Sequence, residues 1–485
     1  MTRYTLAALA AGLLAAPALA QRTPQPEAPA IRAPDALRVV AISPPPEALD
    51  AQRGADVTIT FNKPIDPSTL HPSTFNVLGR WSGPVTGSYV LLDSRTVAFV
   101  RDRDFSPAER VLVSLSRDLR AADGARLPRG YAAGFWVLPD PGSMSFAHTA
   151  TLVPGDVPYG AHGGDLDDDG DLDLAIPNEE SSNVSVFLNG GDGSFGPRQN
   201  FGVGFHCSPS EGLDLSGDGV VDLAVSNILD NDVSILIGNG DGTFKPQVRY
   251  PVLSQPRGLA ALDVDADGDA DLIAANRSGN ACTLLRNRGD GTFDPHSPFE
   301  AGVTGETGVA PADLNLDGVL DLVVIGYGNS RIATLLGDGR GAFTLHSVVV
   351  TSSRPWMVTT GDLNGDGFPD AAAACSSGGR AGIYFGDGTG ALRPEVNFDS
   401  GEFPIAIDLG DLDGDADLDM VTSSYSSGDF HVYTNNGSGN FTLSFTIPSL
   451  VAGSCAVLHD RDDDGDTDLT LIDELGDRIL IYTQQ

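Results

Sequence analysis

Residues 459–469 read HDRDDDGDTDL. Six carboxylates (Asp460, Asp462, Asp463, Asp464, Asp466 and Asp468) fall within nine residues, and like charges so crowded repel one another unless a cation sits among them. The knot recurs, with starts at Asp165, Asp214, Asp263, Asp313, Asp362, Asp411 and Asp460, at intervals of 49, 49, 50, 49, 49 and 49 residues. Seven copies at one period define a repeat architecture. After each knot comes a strand-like run (DLAIPN, DLAVSN, DLIAAN), a polar turn and a second run such as VSVFL or VSILI. A Gly-rich turn ending on an apolar residue follows, and a last run leads to the next knot. Four strands per unit predict an all-β fold, a seven-bladed β-propeller. A stacked solenoid is the alternative, but its units are usually shorter and need end caps.

The register also predicts how the ring closes. The apolar residue ending each Gly-rich turn stands 30 positions after its knot begins: Phe195, Phe244, Phe293, Phe343, Leu392 and Phe441. The seventh would fall at 490, past residue 485, whereas one period back from Phe195 lies Phe146. Residues 146–154 are therefore expected to supply the last strand of blade seven by pairing with RILIYT (478–483), leaving no exposed sheet edge.

Within each knot, positions 1, 3, 5 and 9 carry oxygen side chains and position 6 is usually Gly. Copy one offers Asp165, Asp167, Asp169 and Asp173; copy two Asp214, Ser216, Asp218 and Asp222; copy three Asp263, Asp265, Asp267 and Asp271. Copy four offers Asp313, Asn315, Asp317 and Asp321; copy five Asp362, Asn364, Asp366 and Asp370. Copy six offers Asp411, Asp413, Asp415 and Asp419, and copy seven Asp460, Asp462, Asp464 and Asp468. Alternate spacing turns three side chains toward one point, glycine at position 6 admits φ > 0, and the carbonyl of position 7 can face the same point. Those carbonyls belong to Asp171, Val220, Asp269, Val319, Phe368, Asp417 and Asp466. Hard oxygen ligands without His or Cys select Ca²⁺, at up to seven sites. Ser216 is a poor ligand and Ala416 stands where Gly is expected, so copies two and six should be the weakest. An EF-hand is excluded by flanking strands and the Asp at position 9, and the nonapeptide β-roll by its shorter period. Asp463 and Asp466 need only face solvent.

The segments GDLNGDGFPD (361–370) and GNGDGTF (238–244) resemble the FG-GAP/VCBS-type repeats of bacterial exported proteins, related to the calcium-bearing blades of integrin α-chain propellers. The likeness spans all seven units. It implies a seven-bladed propeller with calcium between the first two strands of each blade, and no particular activity.

The rest of the chain adds context. Arg3, the apolar run 5–16 and Ala18-Leu19-Ala20 read as a secretory signal peptide (1–20) cleaved before Gln21. A Pro-rich linker follows (21–36). Residues 37–138 show short strands, with Val57, Ile59 and Phe61 alternating with Thr58 and Thr60, and fit an N-terminal Ig-like β-sandwich. VTITFNKPIDPSTLHPSTFNV and FSPAERVLVSLSRDLRAADGARL resemble bacterial Ig-like domains. A linker (139–145) leads into the propeller (146–485). The net charge is −37 with only Lys63 and Lys245 as lysines, which disfavours nucleic acid and anionic membranes. Cys207, Cys282, Cys375 and Cys455 occupy different phases of the repeat and are expected as free thiols.

No catalytic signature appears, and Arg288-Gly289-Asp290 is turn chemistry within a Gly-rich turn. Function is expected in the variable loops opposite the knots, which carry Tyr159, His162, His206, Arg257, Glu306, Tyr327, Arg354, Trp356, Phe403 and Tyr425. Exposed aromatics there suit a sugar or a protein partner, although rim packing is the favoured reading of any single one. The leading expectation is an exported (secreted, periplasmic or cell-surface) monomer that binds calcium and, non-enzymatically, a glycan or protein ligand. Its Ig-like module would serve as spacer or docking unit. The alternatives are a secreted calcium-dependent carbohydrate-active enzyme (polysaccharide lyase or hydrolase) and a structural cell-surface protein.

Overall fold

The structure, a computed structural model, describes residues 35–485; the signal peptide and most of the Pro-rich segment lie outside the described residues. Ala36–Gln485 forms one compact unit.

Seven four-stranded antiparallel sheets follow one another from residue 146. Their first strands (His162–Gly164, Cys207–Leu213, Pro256–Leu262, Glu306–Ala312, Pro355–Gly361, Pro404–Gly410 and Gly453–His459) touch in succession, and the seventh touches the first. The result is a ring. Second strands such as Asp271–Asn276 are buried along their whole length, as their continuous apolar runs require of strands covered on both faces. Outer strands such as Phe343–Val350 alternate toward solvent.

Sheet seven takes its fourth strand from Phe146–Leu152, which pairs with Arg478–Gln484. Phe146 faces Gln484 just as Phe343 faces Gly337 in sheet four.

The N-terminal sandwich has two sheets. One contains Val39–Ser43, Val57–Phe61, Thr96–Arg101 and Gly87–Leu91; the other Gly83–Pro84, Phe75–Gly79, Arg110–Leu115 and Tyr131–Trp136. Alternation explains the second sheet's position. Val111, Val113 and Leu115 point into the sandwich core, while Leu112, Ala132 and Trp136 point the other way and join apolar clusters of the ring. Trp81 does the same beside Leu172 and Val457. The sandwich is therefore no spacer: it is seated on the ring, on the side of the acidic loops.

Candidate metal loops and the opposite mouth

Each acidic loop joins the first two strands of its sheet, and all seven fold alike. Position 6 has φ between +68° and +102°, with Ala416 at the lower limit. Position 4 is also left-handed, at Asp168, Gly217, Ala266, Leu316, Gly365, Gly414 and Asp463. The sequence pattern at position 4 is too mixed to announce this. The amide of position 6 donates to the position 1 carboxylate in every loop, for example Gly318 to Asp313 at 2.7 Å and Ala416 to Asp411 at 3.0 Å. Loop six therefore keeps the common turn despite its alanine.

The position 9 carboxylate has a second task. In loop three, Asp271 accepts from the amides of Val264 at 3.1 Å and Asn287 at 2.8 Å, tying the loop to the Gly-rich turn. Asp173, Asp222, Asp321, Asp370, Asp419 and Asp468 make equivalent bonds. The Asn287 side chain then donates to Leu215 O in the preceding sheet at 2.8 Å and to Ala270 O at 3.0 Å. Asn189, Asn435 and Gln484 staple other pairs of sheets in the same way, whereas Gly238, Gly337 and Gly386 have no side chain to do so.

Among the described residues, Asp165/Asp167/Asp173, Asp263/Asp265/Asp271, Asp411/Asp413/Asp419 and Asp460/Asp462/Asp464 each bring three carboxylate oxygens within 4.8 Å of one another. Loops two, four and five present the neutral Ser216, Asn315 and Asn364 at position 3. Asp167 Oδ1, Asp265 Oδ1, Asp413 Oδ1, Asp460 Oδ1 and Asp462 Oδ1 are buried without a hydrogen-bond partner. Burial, aided by neighbouring carboxylates, pushes Asp263 and Asp460 up to about 7 and Asp173, Asp271 and Asp419 up to about 8. Such a donor set fits a hard divalent cation. The expectation that Asp466 faces solvent fails, because its Oδ1 is buried and unpartnered, as is Asp417 Oδ1 in loop six. Asp463 is exposed and meets Arg53 at 3.3 Å.

Arginines of the sandwich reach the loops. Arg103 bonds Asp165 at 2.5 Å, Arg129 meets Asp317 at 3.1 Å and Arg117 meets Asp265 at 3.9 Å. On the axis, Arg80 pairs with buried Asp408 at 2.9 Å. Arg80, Trp81 and Arg110 floor an axial cavity of about 330 Å³ whose walls include His162 and Glu211. Burial lowers His162 to about 4 and raises Glu211 to about 7.

The far end of that cavity meets Tyr159, Arg257 and Trp356, where Trp356 Nε1 donates to Tyr159 Oη at 2.6 Å. These three share one register, each six residues before the start of its acidic loop. Glu179, Arg277, Tyr327, Tyr425 and Glu474 share another, each just past its second strand. The scaffold there is constant: the amides of Glu179, Arg277, Tyr327, Tyr425 and Glu474 donate to Val157, Gln255, Gly305, Phe403 and Ala452 carbonyls. Only the side chains vary. His206 lies 2.8 Å from Glu179, and Arg257 3.6 Å from it. Phe403 contacts Trp356 and Tyr425, and Arg354 lies over Tyr327. Eight of the ten residues expected on this face thus converge; His162 and Glu306 are buried elsewhere. Glu179, Arg277 and Glu474 were missed, although a register aligned on the second strands exposes them.

The fold and its acidic loops define a β-propeller assembled from acidic-loop repeats. Comparison with known proteins names the family. The FG-GAP-like repeat matches residues 165–225, 214–274, 263–324, 313–373 and 362–422, over half of the chain, and a bacterial Ig-like domain matches 33–137. The chain belongs to the FG-GAP-like repeat family. Each matched span runs from one acidic loop into the second strand of the next sheet. Over 106 residues, 22% of this chain and 6% of the relative, it is 26% identical to alpha-2-macroglobulin of Escherichia coli (strain K12). Among solved structures, BBS1N from a complex with ARL6DN, soaked with lead, is 14% identical with a TM-score of 0.52, covering 70% of this chain and 97% of that one. Virginiamycin B lyase from Staphylococcus aureus is 16% identical with a TM-score of 0.49, covering 70% and 100%. An Agrocybe aegerita lectin recognising non-reducing terminal N-acetylglucosamine is 17% identical with a TM-score of 0.43, covering 83% and 96%. At these identities the first likeness is one of fold.

Proposed function

We propose that the chain is an exported calcium-binding propeller that binds an extracellular glycan or protein ligand at the mouth opposite its acidic loops, without turning it over. The carrying observation for calcium is the set of buried, unpartnered carboxylate oxygens in loops one, three, six and seven. Positions 1, 3, 5 and 9 and the position 7 carbonyls would hold the ion. Bound calcium supplies positive charge where burial otherwise disfavours ionised carboxylates. In loops one, three and four it competes with Arg103, Arg117 and Arg129, so the weakest affinities are expected there as well as at Ser216. EDTA should lower the melting temperature, and millimolar Ca²⁺ should restore it where Mg²⁺ does not; an identical melt in EDTA would overturn the assignment. Export is expected from residues 1–20, and N-terminal sequencing of the mature protein should begin at Gln21.

For the ligand, the support is the convergence of Trp356, Tyr327, Tyr425 and Arg257 at one mouth. A glycan array with and without calcium tests it. A second reading, a carbohydrate-active enzyme, draws on Glu474, which burial holds up to about 8 beside Tyr425. Product release from a bound glycan would favour it; binding without turnover favours the first.

A further inference from the structure

The mouth holds cations that the fold leaves unpaired. In a chain of 66 acidic and 29 basic residues, carboxylate partners for arginine are plentiful. Yet among the described residues Arg277 and Arg354 have no ion pair, while Arg257 shares Glu179 at 3.6 Å. The three converge. Arg277 lies 4.6 Å over Tyr327 and 5.2 Å over Trp356, Arg257 lies 5.3 Å over Trp356, and Arg354 lies 5.1 Å over Tyr327. Burial, and then repulsion from Arg257 and Arg354, holds Arg277 below its ordinary pKa. A guanidinium held over a ring spends no donor on a carboxylate there and keeps its N–H groups for an incoming acceptor. Across the mouth, Glu474 Oε2 is a buried acceptor without a hydrogen-bond donor, and Glu179 Oε1 is buried with only the long Arg257 pair at 3.6 Å. Cationic forks, an aromatic wall and opposed carboxylates complement a ligand with an anionic group, an apolar ring face and hydroxyl donors on its far side.

We propose that the mouth binds an anionic pyranose, a sugar unit bearing a carboxylate or sulfate, with its acid group on Arg277 and Arg354, its ring against Trp356 and its hydroxyls toward Glu179 and Glu474. The proposal rests on the mouth being the ligand face. It makes this patch the exception to a surface that otherwise repels anions.

Calorimetric titration tests it with three probes: oligogalacturonate, sulfated galactan oligosaccharides and neutral galactan oligosaccharides. Each is run on the parent, on Arg277→Ala/Arg354→Ala, on the matching double Lys variant and on Trp356→Ala, with thermal melts confirming the fold. At least one anionic probe should bind and the neutral one should not; which anionic probe binds distinguishes carboxylate from sulfate. The double Ala variant should weaken binding about 30-fold or more, as expected for losing charge-assisted hydrogen bonds, and the double Lys variant should recover part of it. Neutral galactan binding as tightly as the anionic probes, and lost in Trp356→Ala, would overturn the charge assignment while leaving the ligand face intact. Anionic binding indifferent to both arginines and Trp356 would place it elsewhere and overturn the proposal. No binding by any probe would overturn it too, and if a wider glycan and protein screen were also silent, the ligand face would fall with it.

Discussion

At the residue scale, the same backbone register carries different chemistry around the ring. Asn287 satisfies two carbonyls in neighbouring sheets, so Asn287→Ala strands both in a buried site. A loss of about 2 kcal/mol is expected, and an unchanged urea midpoint would remove the staple from the account. Glu306 is fully buried, and neither of its oxygens has a partner. Burial raises its pKa from the ordinary 4.5 to about 7, so the folded chain holds the proton more tightly than the unfolded one. That stability is complete below about pH 4.5 and is lost as the pH rises through 7. Glu306→Gln should match the parent near pH 5 and exceed it near pH 8.5 by about 2 kcal/mol. Equal urea midpoints at both pH values would show that the charge is already accommodated. The four cysteines are buried and unpaired, and burial lifts Cys207, Cys375 and Cys455 to about 12, which leaves them inert.

At the scale of elements, the acidic loops and the closing strand were legible in the sequence because periodicity reports repeated local geometry. Glycine at position 6 announced its positive φ, and counting back from Phe195 found Phe146 in its observed register. The seating of the sandwich was not legible. Arg53, Arg80, Arg103, Arg117 and Arg129 are scattered along the chain and meet their carboxylates only in three dimensions. A partial signal existed, since Leu112 and Trp136 put apolar groups on both faces of one sheet. Arg80→Ala should cost about 3 kcal/mol, because it leaves buried Asp408 ionised and alone. Asp408→Asn in the same chain should recover most of that loss. Additive losses in the double variant, measured by thermal unfolding, would show that the two side chains are not coupled.

For the whole molecule, ring closure sets cooperativity. Each sheet packs on two neighbours, so removing residues 146–152 opens one seam and exposes the edge of Arg478–Gln484. The entire ring, not sheet seven alone, should then melt earlier in calorimetry; a separate small transition beside an unchanged main one would contradict this. Identity at the mouth was the least legible part, because its residues occupy repeat positions that keep no single residue type around the ring. Closure also has a consequence in time. Thr149 and Ile481, bonded across the seam, are 332 residues apart. At about 5–20 residues per second of synthesis, the first strand waits roughly 17–66 s for its partner. Through that interval Phe146–Leu152 is a bare template, open to the Arg478–Gln484 strand of another chain. Crowded refolding should therefore yield strand-exchanged dimers, and dilute refolding monomers.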